Sequence, residues 1–307
     1  MSLALSTAWN SLHYNQAKGL ISQIKGLGFD AVELNFNFTS LMVKEISSLV
    51  KKGEIEIVSL HNFCPIPQGI ERNKALPDYY SLGSLDEEER KKAIKYTKRT
   101  IDTAGDLNAK AVVLHSGRVE VADLTLELIR LYNHAKKATK EYKELLNRML
   151  KERKEKVKPY FENTLKSLGV LNRYAQSKDI LLGLENRFYY REIPSFEEIR
   201  TILNAFKGAN IFYWHDTGHA QVLENLGFTR HKEYLKLYSD YMVGIHLHDV
   251  SGTSDHQAPN QGEIDFKIFK HYVKKDTLKV IEAHHSATEK EIIESKKYLE
   301  SIFNGKF

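Results

Sequence analysis

Six short apolar runs in this chain end in a side chain able to bind a cation. They read Val58-Ser59-Leu60-His61, Val112-Val113-Leu114-His115, Leu182-Gly183-Leu184-Glu185, Phe212-Tyr213-Trp214-His215-Asp216, Gly244-Ile245-His246 and Lys279-Val280-Ile281-Glu282. A charge at the end of a buried strand is costly unless it is paired or coordinated. Six such ends in one chain imply that the tips converge on something cationic. The most economical single site is Glu185, Asp216, His246 and Glu282. Three carboxylates and one imidazole suit a divalent Mn, Zn, Mg, Co or Fe ion with positions left open for substrate oxygens. Their formal charge of −3 against +2 leaves room for a second cation or a proton.

The elements that must hold these tips follow from the periodicity. Strands are expected at Leu3–Thr7, Ala31–Asn35, Ile55–His61, Ala111–His115, Ile180–Glu185, Asn210–Asp216, Val243–Asp249 and Leu278–Glu282. Between them lie amphipathic helical stretches such as Ala17–Leu27, Leu41–Lys51, Asp86–Leu107 and Phe196–Phe206. Eight β/α alternations predict an α/β fold, a (β/α)8 TIM barrel, as one domain spanning residues 1–307. Ser84 with Glu87, Ser195 with Glu198 and Thr288 with Glu291 have the spacing of helix-capping boxes. Gly28, Gly53 and Gly105 stand where helices should end.

Two stretches exceed a minimal barrel. Asn62–Ser84, with Pro65, Pro67 and Pro77, is a long loop of the kind that covers a site. A charged helical extension follows strand four, at about 119–177. Tyr142, Leu145, Leu146, Met149 and Leu150 give it one apolar face. Two long helices with a break near Pro159 are expected, serving as a lid or as a homo-oligomer contact.

Composition narrows the function classes. The chain has 307 residues, 42% hydrophobic and 28% charged, as in a globular protein. No apolar run reaches the length of a membrane span, and no signal-peptide shape is present. A single cysteine, Cys64, excludes an internal disulfide and fits a cytoplasmic location. The net charge is +5, yet residues 130–158 alone carry eleven Lys/Arg and four Asp/Glu, or +7, leaving the rest at −2. A basic character confined to one segment argues against general nucleic-acid binding.

The histidines extend the site. His61 and His115 end strands three and four, His219 lies three residues after Asp216, and His256 and Asp255 occupy the loop after strand seven. They are candidates for a second or third ion. His248 shares strand parity with His246 and is placed to orient a ligand. Arg187, two residues beyond Glu185, is a candidate for a substrate phosphate or carboxylate. Trp9, Phe36 and Phe63 lie near strand ends, where aromatic rings could wall a sugar. Asn186 and His215 alternate away from the site and are read as structural. His284 and His285 follow Glu282, and one is expected to reach the site.

Four motifs carry a resemblance: Leu184-Glu185-Asn186-Arg187, His215-Asp216-Thr217-Gly218-His219, Ile245-His246-Leu247-His248-Asp249, and Asp255-His256 followed by Gln261-Gly262-Glu263-Ile264-Asp265. With these the chain resembles the xylose isomerase-like barrel superfamily of sugar isomerases, sugar epimerases and endonuclease IV. The epimerase branch implies Glu185, Asp216, His246 and Glu282 as ligands. It also implies Glu185 and Glu282 as proton carriers on opposite faces of a substrate carbon. The implied reaction is metal-dependent isomerisation or epimerisation of a sugar or sugar phosphate through an enediolate. The endonuclease IV branch implies a zinc-dependent apurinic/apyrimidinic endonuclease. Its second ion would be held by His61, His115 and Glu185. Its third would be held by His219, His256 and an aspartate two residues before His256. Ser254 stands at that place here, leaving Asp249 or Asp255 as substitutes. The loops Asn35–Ser40 and Asn62–Gln68 have no Lys or Arg to grip a duplex, which favours a small carbohydrate over nucleic acid. A non-catalytic metal- or sugar-binding barrel is the third reading.

Overall fold

A computed structural model describes residues 3–304. Along the chain the elements are β1 (Ala4–Ser6), α1 (Ala17–Gly26), β2 (Ala31–Leu34), α2 (Ser40–Lys51), β3 (Glu56–His61), α3 (Glu87–Asp106), β4 (Ala111–Leu114), α4 (Thr125–Asn133), α5 (Lys140–Gln176), β5 (Leu181–Glu185), α6 (Phe196–Ala205), β6 (Ile211–Asp216), α7 (Thr217–Leu226), α8 (His231–Tyr238), β7 (Met242–Leu247), β8 (Asp249–Ser251), β9 (Ser254–Gln257), β10 (Leu278–Ile281) and α9 (Glu289–Asn304). Eight of the strands close a parallel barrel in the order β1-β10-β7-β6-β5-β4-β3-β2. The architecture is thus the TIM barrel expected from the alternation of elements. No helix among the described residues is long and apolar enough to cross a membrane.

Side-chain alternation divides the core in two. One face of each strand packs outward on the helices, as Leu182, Leu184, Tyr213 and Ile245 do. The other fills the barrel with Ala4, Ala31, Ala111, Val113, Trp214, Leu278 and Val280. Trp214 is too large for an ordinary barrel layer, and its neighbours make room. A Cβ at Gly244 would lie 2.1 Å from the Trp214 ring, and one at Gly183 would lie 2.8 Å from it. Gly244→Ala is therefore expected to destabilise the fold by roughly 1–3 kcal/mol or more, the usual cost of overpacking. A melting curve identical to wild type would show that this close approach carries no such constraint.

Three local expectations need correction. The extension is not two long helices broken at Pro159: a short α4 leads into the unbroken α5, with Pro159 inside it. Packing before and after the proline, through Tyr142, Leu145 and Met149 and then Leu168 and Leu171, holds the helix across the missing N–H. Leu146 is only partly buried and Leu150 is exposed, so the apolar face is narrower than its spacing implied. The cap of α3 is Asp86, accepting from Glu88 N and Glu89 N, whereas Ser84 accepts from Asp86 N. Gly105 lies inside α3, and the left-handed turn falls to Asn108 at φ 56°. Gly28 and Gly53 do end their helices at positive φ, and the boxes at Ser195 and Thr288 form.

Candidate metal centre at the barrel mouth

Inward parity carries the strand-tip residues to one end of the barrel, where Glu185, Asp216, His246 and Glu282 are all buried. Their ligand atoms lie within 4.8 Å of one another, as do those of His61, His115 and Glu185, and those of His219, His248 and His256. Glu185 belongs to two of the three groups. Its Oε1 is 2.8 Å from His246 Nδ1, and its Oε2 is 2.8 Å from His115 Nε2 and 3.7 Å from His61 Nε2. Glu282 Oε2 approaches the same nitrogen, His246 Nδ1, also at 2.8 Å. Asp216 also caps α7, its Oδ1 accepting from His219 N at 2.6 Å. The sequence His215-Asp216-Thr217 turns directly from strand to helix, placing a carboxylate at a helix N-terminus.

The hydrogen bonds assign the ring nitrogens. His61 Nδ1 can donate to the Asn62 carbonyl at 3.2 Å, leaving Nε2 toward Glu185. His219 Nδ1 can donate to the Asn186 carbonyl at 3.0 Å, leaving Nε2 toward Asp255 Oδ2 at 3.8 Å. His115 lies off the line to Glu185, so neither of its buried ring nitrogens makes a hydrogen bond. An orphaned imidazole beside a carboxylate is the arrangement a shared cation would satisfy. Burial, reinforced by the Arg187 charge, lowers the His115 pKa to about 4. Burial likewise outweighs Asp216 and takes His219 to about 3. Both are thus neutral, the form that binds metal. Burial pushes the Glu185 and Asp216 carboxyls up, but their neighbours prevail, led by the Arg187 guanidinium for Glu185 and the His219 imidazole for Asp216. Both carboxyls end well below the usual carboxylate range.

One residue escaped the sequence reading. Glu33, on β2, is fully buried beneath His246, with its carboxylate 3.1 Å from Nε2. It also accepts from Ser59 Oγ at 2.8 Å and Ser6 Oγ at 3.3 Å. Its signal was a carboxylate in the middle of the apolar strand Ala31-Val32-Glu33-Leu34, not at a tip. With Nε2 donating to Glu33, His246 presents Nδ1 to the three carboxylates. Glu33→Gln is expected to weaken metal binding about 10–100-fold, the usual effect of losing such a partner. Competition with a chelator of known affinity measures this, and an unchanged affinity would remove Glu33 from the site.

The remaining positions are fixed by their hydrogen bonds and packing. His248 lies with His219 and His256, but both its ring nitrogens are engaged. Nε2 is 2.8 Å from Asp216 Oδ1, and Nδ1 accepts from His256 N at 2.9 Å. Burial opposes its charge, but Asp216 wins and raises its pKa to about 9. The backbone N–H at Nδ1 nevertheless requires a lone pair there, and we favour the neutral ring donating to Asp216. His248 therefore orients Asp216, and a Cβ at Gly218 would collide with it at 2.0 Å. Asp249 is committed elsewhere, accepting from Val250, Asn260, Gly262 and Ile264 N and organising the loop after the β8–β9 hairpin. Asp255 is the acid that reaches the histidines, 3.0 Å from His256 Nδ1. Trp9 is a packing residue, buried and donating to the Ala287 carbonyl at 2.7 Å. Phe63 is buried among Tyr80 and Tyr96. Asn186 brackets Asp216, donating to its carbonyl at 3.0 Å and accepting from its N–H at 2.8 Å. His215 bonds Tyr213 and His231 away from the mouth.

Above these groups is a cavity of about 470 Å³. Its floor exposes His61, His115, His219 and Glu282, and its walls include Phe36, Arg187, Asp255, His256, His284 and His285. Residues 72–77 of the long loop after β3 form part of the rim. There Arg72 ties three loops together through the carbonyls of Ser11, Tyr14 and Asn37. Arg187 does not project freely: it contacts Glu185 Oε2 at 3.1 Å and Glu192 Oε1 at 3.4 Å.

A parallel eight-stranded barrel with carboxylates and imidazoles converging at the strand C-termini defines a class of proteins that work at that face. The model of the xylose isomerase-like TIM barrel family matches residues 21–302, and the chain belongs to that family. An uncharacterized protein of Methanocaldococcus jannaschii is 24% identical over 247 residues, 78% of each chain. Among solved structures, the 3-keto-D-glucoside 4-epimerase of E. coli superposes with a TM-score of 0.70 at 15% identity, covering 98% of this chain and 99% of that one. A D-tagatose 3-epimerase-like protein gives 0.66 at 19%, covering 99% and 97%. The zinc-bound IOLI protein gives 0.63 at 15%, covering 100% and 99%.

Proposed function

We propose that the protein is a divalent-metal-dependent isomerase or epimerase acting on a small sugar. The observation that carries this is the pairing of Glu185 and Glu282 across His246 Nδ1, at the base of a cavity sized for a small ligand. The epimerases among the structural neighbours, and the zinc bound by the IOLI protein, support the same reading. Glu185, Asp216, His246 and Glu282 would hold the ion. When bound, it supplies Lewis acidity toward a carbonyl and an adjacent hydroxyl.

The chain's own groups do the rest. Glu282 lines the cavity and takes the proton from the carbon beside the carbonyl. Glu185 is the opposing carboxylate, ionised at rest by its lowered pKa; a proton it takes up from solvent is returned to carbon on the other face, while Glu282 releases its own to solvent. Arg187 stays on Glu185 and balances its charge. The test is exchange of substrate α-protons with D₂O across a panel of ketoses and aldoses, using metal-loaded protein. Absence of exchange from every sugar would refute the proposal.

A second reading is favoured by the two flanking groups. His61 and His115 share Glu185, and His219, beside Asp216, gathers with His256 and Asp255. Three ions here would suit phosphodiester hydrolysis, with one cation activating water and another stabilising the leaving oxygen. Elemental analysis together with cleavage of an abasic duplex separates the readings. Three ions and strand cleavage without proton exchange would establish the hydrolase instead.

A further inference from the structure

Beside the metal cavity lies a second chamber of about 330 Å³. The two share Pro77, His115, Arg187 and Tyr189 and so abut at the level of the flanking histidines. Apart from His115 on that shared wall, the chamber contributes nothing to the candidate ligand groups. Its charged walls are already paired. Arg118 Nη1 is 3.3 Å from Asp78, Arg191 Nε is 3.2 Å from Asp123, and Arg187 Nε is 3.4 Å from Glu192. Asp78, Asp123 and Glu192 therefore face into a space with no uncommitted arginine. A phosphate would meet three carboxylates, and every arginine it could reach is already shared with one of them.

A neutral polyhydroxyl group meets the opposite situation. Each pair retains lone pairs and N–H groups for hydroxyls. Glu192 Oε2 is buried without any hydrogen-bond partner, an acceptor waiting for a donor. Tyr189, Leu76 and Leu126 add an apolar platform of the sort sugar rings pack on, Leu76 and Leu126 being 55% and 59% exposed.

We propose that this chamber is a subsite for a second, uncharged sugar unit, so that the substrate is a glycosylated sugar rather than a free or phosphorylated monosaccharide. This rests on the isomerase reading and adds its substrate class. The reacting unit occupies the metal cavity, and its neighbour extends past Tyr189 toward Glu192.

The experiment compares α-proton exchange in D₂O for matched probes built on each candidate ketohexose: the free sugar, its terminal phosphate and a disaccharide carrying it at the reducing end. The disaccharide is expected to have a kcat/KM at least about tenfold above both others, a modest return for one additional occupied pocket. Leu126→Trp, at an exposed wall position, should abolish that preference. A free sugar or phosphate handled as well as the disaccharide overturns the subsite and leaves the isomerase standing. The subsite is equally overturned if Leu126→Trp leaves the preference intact. No exchange from any probe overturns the isomerase reading, and the subsite falls with it.

Discussion

Glu185→Gln is expected to empty two metal sites at once. The carboxylate meets His246 through one oxygen and His61 and His115 through the other. An amide of the same shape keeps one acceptor and turns the other position into a donor. Neither group could then bind a cation as the carboxylate would. Metal affinity at both should fall by more than the roughly 10–100-fold typical of losing an outer partner. Turnover should vanish with it. The substitution also leaves Arg187 without one of its two carboxylates. Some loss of stability is therefore expected, since breaking a buried ion pair costs about 3–5 kcal/mol. Elemental analysis of the purified variant is the direct measurement. Unchanged metal content would mean that Glu185 bridges nothing.

Glu282→Gln should behave differently. Glu282 has a single close partner in the site, His246 Nδ1, and belongs to only one of the candidate groups. It is also the carboxylate of the pair that lines the cavity. Replacing it should reduce proton exchange about 10²–10⁴-fold, the usual scale for losing a positioned acid–base group. Most metal should remain, held by Glu185, Asp216 and His246. The contrast between the variants is the informative result. If both lose metal equally, Glu282 is a ligand and no more. If Glu282→Gln retains near-wild-type exchange, another group carries the proton.

These contrasts depend on features of unequal visibility in the sequence. The barrel was legible because all eight strands are apolar runs with the helical period between them. The tips were legible because inward parity places Glu185, Asp216, His246 and Glu282 on one end. Glu33 was not, because it lies one layer deeper, where a carboxylate signals a site only if its partner's position is known. The loop-organising role of Asp249 was also hidden, whereas the strand parity of His248 had already suggested a residue that orients a ligand. Both sit in Ile245-His246-Leu247-His248-Asp249, yet one orients Asp216 and the other gathers four backbone N–H groups. Spacing did not distinguish a metal ligand at Asp249 from a residue that organises a loop. Trp9 and Phe63 show the same limit for aromatics, since proximity to a strand end does not say which way a ring turns. The β8–β9 hairpin was read as part of the loop after strand seven because its strands are short and polar.

The long helix α5 contains one buried arginine, Arg153. Its guanidinium grips both oxygens of Glu198 at 2.8 Å and donates to the Glu192 carbonyl at 2.9 Å. Tyr142, a few turns earlier, donates to the Leu226 carbonyl at the end of α7. The insertion thus grasps the segments after β5 and β6 that carry Arg187, Glu192 and His219. It is a splint across the mouth and not a detachable appendage. An engineer trimming the chain to a minimal barrel would cut away the brace together with the apparent surplus, and damage done more than thirty residues upstream would present as a defect of the loops at the barrel mouth.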